Sequence, residues 1–114
     1  MRYGPGREEN EMKRKLCFMF INAAIEGVQR TLMEVGPEGE MHLIGVDSYA
    51  AAVEEAKRLA DEGFVALELC AGFGIQGQAE IMKAVEGKML VGAVRFDNHP
   101  AYGGISGDEK WLVK

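Results

Sequence analysis

The six residues Leu16-Cys17-Phe18-Met19-Phe20-Ile21 are apolar without a break. A strand with one wet face alternates polar and apolar side chains, because successive residues point to opposite sides. An unbroken apolar run, bounded by charge before it and Asn22 after it, suits a strand buried on both faces. Further apolar runs span 41–46, 64–69 and 89–94, the second interrupted by Glu68 and the others by His42, Gly45 and Gly92.

Helical spacing separates these runs. Ile25, Val28, Leu32 and Met33 recur as on one side of a helix, although Gly27 weakens the pattern, and Gly36-Pro37-Glu38-Gly39 ends it as a turn. From Tyr49 to Glu62, an Ala52, Val53, Ala56 and Leu59 stripe opposes a charged face, with Ser48 or Asp47 as cap and Gly63 as stop. A third helix is expected from about Gln76 to Glu86, with Ala79, Met82 and Val85 turned inward. The order β-α-β-α-β-α-β predicts an α/β fold: a small parallel four-stranded sheet with helices packed outside. Residues 1–15 read as a flexible leader and 16–114 as a single α/β domain.

With 114 residues, 47% of them hydrophobic and 27% charged, the chain suits one soluble domain with a modest core. A net charge of −5 disfavours nucleic acid as a partner. No apolar run approaches the roughly 18 residues of a membrane span, so no membrane partner is expected. The charged N-terminus lacks the apolar segment of a secretory signal. Cys17 and Cys70 fall at opposite ends of a parallel sheet, too far apart to bridge, which suits a reducing cytoplasm. Four strands make a thin sheet, and burying an edge or a helix face in a homo-oligomer would complete it.

A parallel sheet gathers all its strand C-terminal ends on one edge, where open α/β sheets bind ligands. That edge collects Asn22, Asp47, the stretch Glu68-Leu69-Cys70-Ala71-Gly72-Phe73-Gly74-Ile75-Gln76-Gly77, and Arg95 with Asp97. Gly72, Gly74 and Gly77 have G-x-G-x-x-G spacing between a strand and a helix. Glycines let backbone approach a ligand, and the free N–H groups of a helix start favour an anion. A small phosphate or carboxylate fits this reading better than a dinucleotide. Asp97 does lie 20 residues after Gly77, as a ribose-binding acid would, but the motif follows the third predicted strand and the chain is small. A tight turn without a ligand is the plain alternative.

Glu68 interrupts its strand and is expected either as a general base or as an ion-pair partner of Arg95. Cys70, near a helix start, is a candidate nucleophile, although inert buried cysteines are commoner. Asp97 and His99 could form an acid/base or metal-binding pair, but two ligands are a weak metal signal, and no metal is assigned. His42, at the far end of the sheet, suits a structural role. Tyr102, Ser106 and Asp108 fall in a loop over 96–108 that could act as a lid or as a subunit contact. Trp111, Leu112 and Val113 are expected to dock on a neighbouring element.

Three segments carry a resemblance: Glu68-Leu69-Cys70-x-Gly72-Phe73-Gly74, Val91-Gly92-x-Val94-Arg95-Phe96-Asp97-x-His99-Pro100, and Gly103-Gly104-x-Ser106-Gly107-Asp108. Together they resemble a small prokaryotic family of single α/β domains of unknown function. Ala71 departs from the Gly expected there, and residues 22–34 are less typical. The resemblance implies the fold and the site location and adds no activity or cofactor.

The leading expectation is a cytoplasmic protein that binds a small anionic metabolite. Gly72, Gly74, Gly77 and Arg95 would hold it, with Glu68, Cys70, Asp97 and His99 as candidate chemistry. The alternatives are a non-catalytic homo-oligomeric assembly protein, making its contacts through the glycine loop and 96–108, and a dinucleotide-binding protein.

Overall fold

A computed structural model describes residues 14–112. The first thirteen residues, and with them most of the expected leader, lie outside the described range, as does Val113. Strand β1 (Arg14–Ile21) already includes Arg14 and Lys15, so ordered structure begins within the expected leader.

β2 (Val28–Val35) follows, then β3 (Gly39–Val46), α1 (Tyr49–Asp61), β4 (Ala66–Leu69), α2 (Ile75–Ala84) and β5 (Leu90–Ala93). A short 3-10 turn (Pro100–Tyr102) and α3 (Gly107–Trp111) complete the described chain. The sheet has five strands in the order β2-β3-β1-β4-β5. β1, β3, β4 and β5 are mutually parallel, and β2 runs antiparallel to β3 along the edge. No helix among the described residues is long and apolar enough to cross a membrane.

The parallel four-stranded expectation is therefore corrected in one region. The segment expected as the first helix is the edge strand β2. Gly27 and Gly36 flank it at φ 74° and 70°, in the left-handed region that glycine adopts most readily. The turn Gly36-Pro37-Glu38 folds β2 back on β3, pairing Val35 with Gly39. Apolar residues fall on both sides of β2: Val28 and Leu32 on one, Met33 and Val35 on the other. The resulting spacing imitates a helix, although it belongs to a strand exposed along its whole length.

This substitution decides where the core lies. The chain steps from β3 past β1 to β4, and then on to β5, in one direction across the sheet. Right-handed crossovers in one direction place α1 and α2 on the same face. Cys17, Met19, Ile21, Ile44, Val46, Leu67 and Leu69 point to that face and pack with Ala52, Ala56 and Leu59 of α1 and Ile81 of α2. A crossover helix between β1 and β3 would run the other way and cover the opposite face. The β2 hairpin replaces it, so that face carries no helix.

α1 forms as its sequence dictates. Ser48 caps it by accepting from the Ala51 N–H at 3.0 Å. Glu55 is the buried charged residue of the core and accepts from the Arg58 Nε–H at 2.8 Å. At the C-terminal end, Arg30 of β2 donates to both carboxylate oxygens of Glu62, at 2.9 and 3.3 Å, tying the edge strand to the helix layer.

Candidate functional site

β4 ends at Leu69, and the chain turns through Cys70–Gly74 into α2. The Cys70 N–H still donates to the Met19 carbonyl, so the turn hangs directly from the central strand. The Phe73 N–H donates back to the Cys70 carbonyl at 3.2 Å, and the Gly72 N–H approaches the Cys70 sulfur at 3.3 Å. Gly74, the N-cap of α2, has no side chain with which to cap it.

The cap comes from a distant part of the chain. Asp108 of α3 accepts from the Gln76 N–H at 2.8 Å and from the Gly77 N–H at 3.1 Å. These are the second and third helical residues, whose N–H groups a cap ordinarily satisfies. The Tyr49 hydroxyl donates to the same carboxylate at 3.0 Å and itself accepts from the Gly74 N–H at 3.0 Å. Burial and the neighbouring carboxylate push the Tyr49 hydroxyl well above its ordinary titration range, while the Gly74 N–H acts in the opposite sense. Tyr49 therefore remains a donor to Asp108 at neutral pH. Its ring stacks on Phe73 with centroids 5.8 Å apart.

This latch accounts for two of the three loop glycines. A Cβ on Gly77 would run into the Tyr49 ring, and one on Gly74 would run into the Asp108 carboxylate. Close approach is indeed required, but to the chain's own side chains. The seat expected for an external anion at the helix start holds the Asp108 carboxylate, a favourable place for negative charge.

The 95–112 segment is held by its own contacts. The Asp97 carboxylate accepts from Arg95 at 2.8 Å, with both side chains exposed. Arg95 therefore pairs with Asp97 rather than with Glu68. Glu68 lies on the helix-free face beside Phe18 and Gly92, and makes no hydrogen bond or ion pair among the described residues. The expected Asp97–His99 pair is not formed. His99 Nδ1 accepts from the Ala101 N–H at 3.1 Å, which caps the 3-10 turn and leaves the proton of the neutral ring on Nε2. The His99 ring stacks on Tyr102 at 4.2 Å, and the Tyr102 hydroxyl accepts from the Trp111 indole N–H at 3.1 Å. Ser106 and Glu109 form a reciprocal capping box that starts α3 and aims Asp108 at α2.

Beside the latch is an open cleft of about 190 Å³, lined by Phe73, Gly74, Ile75, Arg95, Phe96, Asp97, Ser106 and Asp108. It lies at the C-terminal edge of the parallel strands, the edge the sequence points to. Of the expected residues, the fold brings Gly74, Arg95, Asp97, Ser106 and Asp108 to this cleft, but not Glu68, Cys70 or His99. Asn22 accepts from the Ala24 N–H and shapes the β1–β2 turn. His42 lies against Glu40 at 3.0 Å and edge-on to Phe64, consistent with a structural role. Both cysteines are free thiols, and burial pushes Cys17 up to about 12. No group of three or more metal-ligating side chains occurs among the described residues.

Tyr49 is the site residue that sequence reasoning missed, and Asp108 was anticipated only as part of a loop. The signal for the second was present: Ser106-x-x-Glu109 is a capping box, which announces a helix start.

The architecture defines a small α/β domain with a mixed sheet covered by helices on one face and an intrachain carboxylate seated at its glycine loop. The chain belongs to DUF6506, a family of unknown function whose sequence model matches residues 14–109. No curated protein matches it.

Proposed function

We propose that the protein binds a small organic anion in the cleft between the start of α2 and the 95–97 segment. The observation that carries this is the Arg95 guanidinium, exposed at a cleft whose walls are Phe73, Ile75 and Phe96. Arg95 offers paired donors to a carboxylate or phosphate, and the apolar walls suit a short carbon skeleton. A cleft of about 190 Å³ takes a small metabolite and is too small for a dinucleotide. The exposed Arg95–Asp97 pair is weakly held, so a ligand carboxylate can replace Asp97. Binding differs from the sequence expectation in one respect: Arg95 carries it, and the loop N–H groups serve Asp108. Of the residues expected to carry chemistry, Asp97 lines the cleft and Glu68, Cys70 and His99 do not, so binding is proposed and no reaction is assigned.

A thermal-shift series with acetate, lactate, succinate and inorganic phosphate at about 10 mM tests this, because a ligand that binds only the folded state raises the melting temperature. At least one probe should raise it for wild type. Arg95→Ala should lose the shift, and Asp97→Asn should enlarge it by removing the internal competitor. If no probe acts, or if Arg95→Ala responds like wild type, the assignment fails.

A further inference from the structure

Strand β1 is apolar on both faces, but the helices cover only one. On the other face Leu16 pairs in register with Met41, and Phe18 with Leu43. Met33 of β2 lies beside Met41 and is 66% exposed. At the far edge, Leu90 lies beside Ala66 and is 60% exposed. Parallel strands with an unbroken apolar pattern belong to sheets covered on both sides. This chain supplies one cover and, through the β2 hairpin, omits the other.

We infer that the second cover is another copy of the same chain, its helix-free sheet face packed on this one about a two-fold axis. Three observations favour a copy over other occupants. First, the area suffices. Five strands about 4.8 Å apart, averaging about six residues of about 3.3 Å rise, span roughly 24 by 20 Å, or about 480 Å² of plane per copy. Two such faces bury roughly 1,000 Å², about the lower bound for a specific interface, and protruding side chains add to it. Second, the face has little charge. Glu68 is the one acidic side chain in its middle, so two chains of net charge −5 can meet there without opposing carboxylates across most of the contact. Third, the face has relief. An open groove of about 360 Å³, lined by Phe20, Gln29, Arg30, Thr31, Leu43 and Gly45, lies beside the exposed Met33, so each face offers both a hollow and a knob.

This surface is distinct from the glycine loop and the 96–108 segment, and the inference does not depend on ligand binding in the cleft. Sedimentation equilibrium of the full chain at about 1 to 100 μM tests it, since specific dimers of this size commonly fall in or below that range. Wild type should run at twice its 12.5 kDa mass. Leu43→Lys and Met33→Lys, each on an exposed position, should weaken association at least tenfold while leaving the circular dichroism spectrum unchanged. Val28→Lys, on the helix side of the edge strand, should leave the dimer intact. A monomeric wild type at the highest concentration overturns the inference. So does a dimer that survives both face variants, or one lost in Val28→Lys alone, which would indicate edge pairing through β2.

Discussion

Met19, Ile44 and Leu67 on one side of the sheet are fully shielded from water, while their strand neighbours Phe18, Leu43 and Glu68 on the other side are wholly or partly exposed. The two faces belong to the same strands and, apart from Glu68, draw on the same kinds of residue. What separates them is connection. The crossovers from β3 to β4 and from β4 to β5 each bring a helix to one face, and the hairpin from β1 to β3 brings none to the other. Within one chain, burial therefore follows the path of the backbone. The hydrophobic residues that the path leaves bare are the ones the proposed second copy would cover.

Truncation tests this contrast most severely. Leu67→Ala on the covered face should cost about 2–5 kcal/mol, the range for deleting a buried leucine with its cavity. Leu43→Ala, on a residue 40% exposed, should cost under about 1 kcal/mol in monomer stability. Urea denaturation at low protein concentration measures both, and equal losses would erase the distinction between the faces.

The covered face depends on α2 being seated, and Asp108 seats it. Asp108→Ala leaves two helix N–H groups and the Tyr49 hydroxyl without their acceptor, and should cost about 1–3 kcal/mol by urea denaturation. Asp108→Asn, which keeps one acceptor oxygen, should recover part of that loss. An unchanged midpoint for the alanine variant would show that the latch contributes nothing to the packing beneath it.

Cys17 gives the covered face a pH signature. Burial raises its folded pKa to about 12 from an ordinary 9.0. Above pH 9 the unfolded chain loses this proton while the folded chain keeps it. Stability is thus complete below pH 9 and falls as pH rises towards 12, by up to about 1.4 kcal/mol per pH unit. Cys17→Val should flatten the first part of this decline in melting temperature, before Tyr49 adds its own. A wild-type curve that stays level from pH 9 to 11 would contradict the burial of the thiol.

The smallest effect is expected at the edge. Hydrogen bonding to Arg30 holds the Glu62 carboxyl below its ordinary range, so the pair contributes above that range and its contribution disappears as pH falls through the folded pKa. For an exposed pair, Glu62→Gln should cost less than about 1 kcal/mol near neutral pH, and nothing in acid.

Much of the covered face was legible. β1, β3, α1, β4, α2 and β5 each declare themselves through apolar runs, caps and glycine stops. β2 did not, because Val28 and Leu32 on one face and Met33 on the other, together with Ile25 before the strand, mimic a helical stripe. The flanking glycines, Gly27 and Gly36, were the better guide. At the site, the glycine spacing located a close approach but could not say what approached. Asp108 lies 31 residues from Gly77 and 59 from Tyr49, separations no local pattern spans. The Arg95–Asp97 pair, by contrast, is two residues apart and local, whereas the sequence reading offers Glu68 on the neighbouring strand as the partner of Arg95.

The remote cap of α2 also sets an order of events during synthesis. A chain made from its N-terminus at about 5–20 residues per second completes α2 at Ala84 and reaches Asp108 about one to five seconds later. Throughout that interval the first turn of α2 has no acceptor for its N–H groups, and Tyr49 has no carboxylate to engage. A chain stopped after residue 107 lacks Asp108, so the Gln76 and Gly77 N–H groups and the Tyr49 hydroxyl never gain their shared acceptor.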